Sequence, residues 1–172
     1  MKISIGCDHI VTDVKNHIVK YLKSKGHEVI DNGTYDNERT HYPIYGKKTA
    51  ERVINKEADL GIVICGTGVG ITCSTAKIKG IRSSLVRDVE TARYAKKELN
   101  SNMLGLGGRI CGLGLIENII DVFLETKYVE TEENKALIEK IDSMIEENGQ
   151  VSDERLFDEF IIKWNTGDYP VE

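Results

Sequence analysis

Short apolar runs alternate with stretches whose apolar residues recur every three or four positions, and this alternation continues to about position 126. Residues 2–7 (KISIGC), 27–31, 60–64 (LGIVI), 83–86 and 103–106 are predicted strands. LGIVI has no polar side chain, the pattern of a strand covered on both faces. Between them, residues 14–25 place Ile18, Val19 and Leu22 on a helical face. Further helices are predicted over 45–55, directly after the Gly-rich segment that follows LGIVI, over 89–99 and over 116–126. Residues 32–43 (NGTYDNERTHYP) are rich in turn formers and predict a loop. Strands and helices in this order build βαβ units, so the predicted fold is α/β with a parallel five-stranded sheet flanked by helices.

From about residue 131 the pattern changes. Leu137, Ile138, Ile141, Met144 and Ile145 share one helical face, Phe157, Phe160, Ile161 and Trp164 share another, and no strand pattern follows. Two helices have little core of their own. The chain is therefore read as a sheet domain over 1–130 and a C-terminal helical extension over 131–172, which packs on that domain or on a partner subunit.

Charge narrows the function classes. With 23 basic and 28 acidic residues, net −5, the chain has no overall basic field to draw nucleic acid or an anionic membrane. No window offers the run of apolar residues a membrane span needs, and the start MKISIGCDH lacks a secretory signal's features, so the expected location is the cytoplasm. Cys7, Cys65, Cys73 and Cys111 are widely spaced without a C-x-x-C pair, which predicts free thiols. With no H-E-x-x-H motif or ligand cluster either, no metal is expected.

The richest stretch is Cys65-Gly66-Thr67-Gly68-Val69-Gly70, directly after LGIVI. In a parallel α/β sheet ligands bind outside the carboxyl ends of the strands, and a Gly-rich turn into a helix presents amide donors there. A dinucleotide fingerprint would need glycine where Ile71 stands, and a phosphate-binding P-loop would need Gly-Lys-Ser/Thr, so an anion or oxyanion site is favoured over a nucleotide. Cys65 is either a small buried hydrophobe or a thiolate favoured by amides and a helix N-terminus, able to act as base or nucleophile. Thr67 is either a turn hydroxyl or a donor to a developing oxyanion. Asp8 and His9 follow the first strand and so belong to the same sheet edge; they can cap a turn, or contact sugar hydroxyls and phosphate.

Four segments together carry a family resemblance: G-C-D-H at 6–9, E-R-T-H-Y-P at 38–43, I-C-G-T-G-V-G-I at 64–71, and L-N-S-N at 99–102 before L-G-G-R at 106–109. Over roughly residues 1–130 the chain resembles the sugar-phosphate isomerases that include ribose-5-phosphate isomerase type B and both subunits of galactose-6-phosphate isomerase. The longer chain with its tail helices is most similar to the B-type subunits of the latter. The resemblance implies a Rossmann-like sheet and an active site in a cleft shared by two chains. It assigns Cys65 as the base that moves a proton between C1 and C2 of the opened sugar through a cis-enediol, with Thr67 holding an oxygen. It places Asp8, His9, Gly66, Gly68, Val69, Gly70, Asn100 and Arg109 against substrate. Such proton transfer needs no cofactor.

Two departures from the family pattern stand out. Leu99 occupies the position where ribose-phosphate enzymes carry a ring-opening histidine, and residues 127–135 (KYVETEENK) lack the arginines that grip phosphate there. The resemblance supplies the remedy: a homologous A-type subunit that keeps a histidine and arginines while lacking the cysteine. The expected function is thus one subunit of an isomerase for galactose 6-phosphate and tagatose 6-phosphate in a hetero-oligomer. A self-sufficient pentose- or hexose-phosphate isomerase and a non-catalytic sugar-phosphate or nucleotide-binding module are the alternatives.

Overall fold

Every strand of the sheet runs parallel to its neighbours, so every connection must cross from one end of the sheet to the other, and helices make most of those crossings. The computed structural model describes residues 1–146 and 153–168. The strands are β1 (Lys2–Cys7), β2 (Glu28–Asp31), β3 (Leu60–Cys65), β4 (Ser83–Leu85) and β5 (Met103–Gly107), in the spatial order β2-β1-β3-β5-β4. The helices are α1 (Thr12–Ser24), α2 (Tyr42–Ile54), α3 (Val69–Thr75), α4 (Val89–Lys97), α5 (Leu113–Glu125), α6 (Glu132–Asp142) and α7 (Asp158–Asn165).

The apolar runs become strands because both faces of the sheet are covered. Successive side chains point to opposite faces, so Ile62 and Ile64 join the core beneath α1 and α5, with Ile18, Leu22, Ile116 and Phe123. Val63 and Cys65 join a second core with Ile44 and Tyr45 of α2 and Ile71 of α3. Each fully buried side chain of this size contributes about 1.5–3 kcal/mol by leaving water. The cysteine of the Gly-rich motif is thereby fixed to the α2/α3 face.

Two helices begin three residues before the periodic pattern does. α2 starts at Tyr42 because Pro43, which reads as a loop residue, sits in the first turn, where its missing N–H costs no hydrogen bond. α5 starts at Leu113 from the extended Gly112. In the tail, α6 is capped by Thr131, which accepts from Asn134 N at 3.1 Å, and is tied to the sheet domain by an Arg82–Asp142 ion pair of 2.7 Å. Ile138 is buried there, while Leu137, Ile141 and Met144 stay exposed. Phe157 and Ile161 pack against the α2/α3 core. The side chain of Trp164 lies outside the described set.

The strand order sets the position of the site. From β1 the chain leaves toward β2 on one side, while β3 lies on the other side of β1. The loops after β1 and β3 therefore part company at neighbouring strand ends, the arrangement that opens a crevice at a switch point. Cys7 pairs with Ile64, which brings Asp8 and Cys65 to the same level at that crevice.

Candidate active site

Cys65 closes β3 at 4% exposure. The loop it begins is tied down from β5: Gly108 N donates to the Cys65 carbonyl at 2.9 Å and Arg109 N to the Gly66 carbonyl at 3.0 Å. The chain reverses at Gly68, whose φ of +81° places it in the left-handed region. A Cβ on Gly68 would lie 2.7 Å from the Leu106 carbonyl carbon and 2.8 Å from Gly107 N, so the turn requires glycine for space as well as for φ. The reversal aims Gly68 N–H at the cysteine, donating to Sγ at 3.1 Å. Val69 N donates to Thr67 Oγ1 at 3.3 Å, and Thr72 Oγ1 donates to the Gly68 carbonyl at 2.6 Å. In the first turn of α3, the amides of Gly70 and Ile71 donate to no acceptor among the described residues.

This refines the reading of the Gly-rich loop. Two of its amides are committed, Gly68 to the sulfur and Val69 to the threonine. Gly70 keeps a donor, and so does Ile71, which sequence reasoning missed although the first turn of any helix leaves such groups. The ring of Tyr42, also missed, lies over Gly70; a Cβ there would be 2.6 Å from Tyr42 Cζ.

Across the crevice, Asp8 is 4% exposed and its Oδ1 has no hydrogen-bond partner among the described residues. Burial pushes its carboxyl above the usual carboxylate range, opposed by the charges of His9 and Arg109. His9 accepts at Nδ1 from Thr40 N, 3.2 Å away, which leaves Nε2 to carry the proton of the neutral ring. Arg109 is held in a fork: its guanidinium nitrogens donate to Asp13 at 3.0 and 2.9 Å and to the Ile10 carbonyl at 2.5 Å. That guanidinium holds the Asp13 carboxyl below its ordinary range. The exposed pair adds little stability, yet it fixes where the Arg109 charge stands. An open cavity of about 530 Å³ beside β2 and α2, lined by Asp31, Lys48, Arg52 and Glu154 among others, shares no residue with this crevice.

Asn100 is elsewhere. It sits before β5 in the left-handed region, φ 46°, with its carbonyl accepting from Arg82 Nε at 3.1 Å. β5 runs parallel to β3, with Met103 beside Gly61 and Gly107 beside Cys65. Leu99 and Asn100 thus lie at the amino edge of the sheet, about 15 Å along the strands from Cys65 at roughly 3.3 Å per residue. One chain brings Asp8, His9, Arg109 and the Cys65 loop together and leaves Asn100 out.

The family model described as Ribose/Galactose Isomerase matches residues 3–141. The chain belongs to the ribose/galactose isomerase family. It is 65% identical to the galactose-6-phosphate isomerase subunit LacB of Clostridium acetobutylicum over 173 aligned residues, covering all of both chains. It is 42% identical to ribose-5-phosphate isomerase B of Escherichia coli over 127 residues, 74% of this chain and 85% of that one. Among solved structures, Clostridium thermocellum ribose-5-phosphate isomerase B superposes with a TM-score of 0.82 at 40% identity, covering 84% of this chain and 97% of the other. The Mycoplasma genitalium ribose-5-phosphate isomerase B with bound ribulose-5-phosphate superposes with a TM-score of 0.78 at 34% identity, covering 83% and 95%. The ribose/galactose isomerase family thus accounts for the parallel five-stranded sheet. No helix among the described residues is long and apolar enough to cross a membrane.

Proposed function

We propose that this chain is the cysteine-bearing subunit of a cytoplasmic aldose–ketose isomerase that interconverts D-galactose 6-phosphate and D-tagatose 6-phosphate, and that it works only with a homologous A-type subunit. This reaction belongs to the tagatose 6-phosphate route of lactose and galactose breakdown. One observation carries the reading: Cys65 and its amide donors stand at one edge of the sheet while Leu99 and Asn100 stand at the other. A cleft that contains both kinds of loop has to be assembled from two chains, and Leu99 cannot supply a ring-opening proton from either of them. The 65% identity to a galactose-6-phosphate isomerase subunit supports the choice of sugar.

In this reading the partner opens the ring and grips the phosphate. Cys65, as thiolate, takes the proton from C2 of the open aldose, and the electron pair left behind forms the C1–C2 double bond while charge moves to O1. In this reading the amides of Gly70 and Ile71 and the Thr67 hydroxyl meet that oxygen, with Gly66, Gly68 and Val69 shaping the turn that carries them. The O2 proton passes to O1, the C2–O2 carbonyl forms, and the thiol returns its proton to C1. Nothing is oxidised overall, so no redox carrier is consumed. Asp8, His9 and Arg109 hold hydroxyls and charge on the β1 side, and Asn100 falls in the reciprocal cleft, which holds no Cys65 when the partner is A-type.

The test compares the purified chain with a mixture of chain and A-type homologue on galactose 6-phosphate and ribose 5-phosphate. The chain alone should turn over neither at an appreciable rate, the mixture should isomerise galactose 6-phosphate, and Leu99→His in the isolated chain should recover only part of the function because phosphate stays ungripped. Equal turnover of galactose 6-phosphate by the isolated chain would refute the shared cleft. Turnover of ribose 5-phosphate alone would move the substrate to that of the solved relatives.

A further inference from the structure

Helix α7 belongs to the tail, beyond the residues that the family model matches, yet it reaches the mouth of the crevice. The Phe160 ring meets the His41 ring edge-on, with centroids 4.7 Å apart. Phe157, just before the helix, and Ile161 within it pack against the core that contains Cys65, Tyr45 and Ile71. His41 is the middle of a three-residue segment whose other two members both touch the site. Thr40 N donates to His9 Nδ1 at 3.2 Å, and Tyr42 lays its ring over Gly70. The His41 imidazole is held below its ordinary proton affinity, chiefly by burial and then by the charges of Arg39, His9 and Lys163. Lys163 of α7, the 39–41 segment and His9 therefore share one neighbourhood.

The geometry points to Phe160 as a positioning residue: through His41 it holds the Thr40–Tyr42 segment so that the backbone of Thr40 fixes the His9 tautomer and Tyr42 walls the Gly70 side of the substrate loop. The inference deepens the proposed isomerase reading and rests on it for its kinetic consequence. Residues 40–42 form the exit of a long loop, 32–41, with little regular structure of its own, and a ring packed against its last residue removes freedom that substrate would otherwise have to remove on binding. The cost of losing that contact should therefore appear in substrate binding more than in the proton transfer at Cys65.

Two measurements test this. In the complex with the A-type subunit, Phe160→Ala should raise KM for galactose 6-phosphate by about tenfold, less than the 10²-fold that a reacting group displaced by 1 Å can cost, with kcat changed by no more than about twofold. Phe160→Leu, which keeps an apolar side chain at the contact, should recover most of the loss. Ile162→Ala, on an exposed position of the same helix, should match the wild type. Separately, ¹⁵N-histidine spectra of the full chain, recorded at about pH 8.5 so that the tautomers of uncharged imidazole are compared and assigned with a His9→Gln variant, should show one His9 tautomer with its proton on Nε2, and Phe160→Ala should convert that signal to a tautomer average. The spectrum does not depend on turnover, so an inactive wild-type complex would sink the isomerase reading while the His9 signal still decides the positioning role. If Phe160→Ala lowers the melting temperature but leaves both KM and the His9 spectrum unchanged, α7 is mere ballast and the inference is wrong. Should Phe160→Ala fail to fold, the same two readouts on Phe160→Leu, expected between wild type and a free segment, decide the matter.

Discussion

Gly66 and Gly68 look equivalent in the sequence, two glycines flanking one threonine, and the structure predicts that alanine will distinguish them sharply. At Gly68 a methyl group meets two costs. The left-handed conformation at φ +81° disfavours an L side chain by about 1–2 kcal/mol. The added carbon would also sit 2.7 and 2.8 Å from backbone atoms of Leu106 and Gly107, which cannot move without disturbing β5 beside Cys65, an overpacking cost of about 1–3 kcal/mol. Together they give a destabilisation of about 3 kcal/mol, or a drop in melting temperature of about 6–12 °C for a chain of this size. At Gly66 the nearest atom to a new Cβ is Ile10 Cγ2 at 3.7 Å, an ordinary contact, and the expected change is within about 0.5 kcal/mol. Thermal and urea unfolding of the two variants measure the difference directly. The relief of strain at Gly68 should also draw its N–H away from Cys65 Sγ, so activity in the complex should fall further for Gly68→Ala than for Gly66→Ala. Equal melting temperatures for the two would refute the account of the turn.

Two further outcomes follow from the same crevice. Cys65→Ser should lower isomerisation by about 10²–10⁴-fold, the range for a lost general base, with an unchanged circular dichroism spectrum; substrate should protect Cys65 from iodoacetamide while the exposed Cys73 labels regardless, and an active serine variant would end the assignment. Asp8, whose carboxyl is raised by burial, holds its proton in the folded chain over a pH range where the unfolded chain has released it, so folded stability falls as pH rises from the ordinary carboxylate pKa through the raised one. Asp8→Asn has no proton to lose: it should unfold at a higher temperature than wild type near pH 7, the gap closing below about pH 4, and a gap that stays constant with pH would refute the burial cost.

What the sequence revealed depended on how local the controlling physics was. LGIVI announced β3 because a strand covered on both faces must be apolar throughout, and the Gly-Thr-Gly run announced a turn with exposed amides because few other residues allow one. The start of α2 was hidden by Pro43, which punctuates a loop and a first helical turn equally well. The committed amides of Gly68 and Val69 were hidden because which N–H faces the sulfur depends on the sign of one φ angle. The family pattern sets Asn100 against substrate in a cleft shared by two chains, and the parallel register of β3 and β5 stands it at the edge of the sheet opposite Cys65. The contact of Phe160 with His41 joins the tail to the loop between β2 and α2, beyond the reach of any periodicity.

Under the proposed shared cleft, the opposite placement of Cys65 and Asn100 along shared strands gives two chains joined by a two-fold axis two clefts at once, each borrowing one loop from either side. In a pair of like chains the clefts are twins. In a pair of unlike chains they are not: one receives Cys65, and its sibling receives Leu99 and Asn100. Under the proposed division of labour the second cleft does no chemistry, and selection has no hold on what fills it. A duplicated gene pair in that condition can lose one function from each copy in turn without any loss to the cell, until neither copy suffices alone. Leu99 would then record that history, a residue released from duty because its counterpart next door had kept the post.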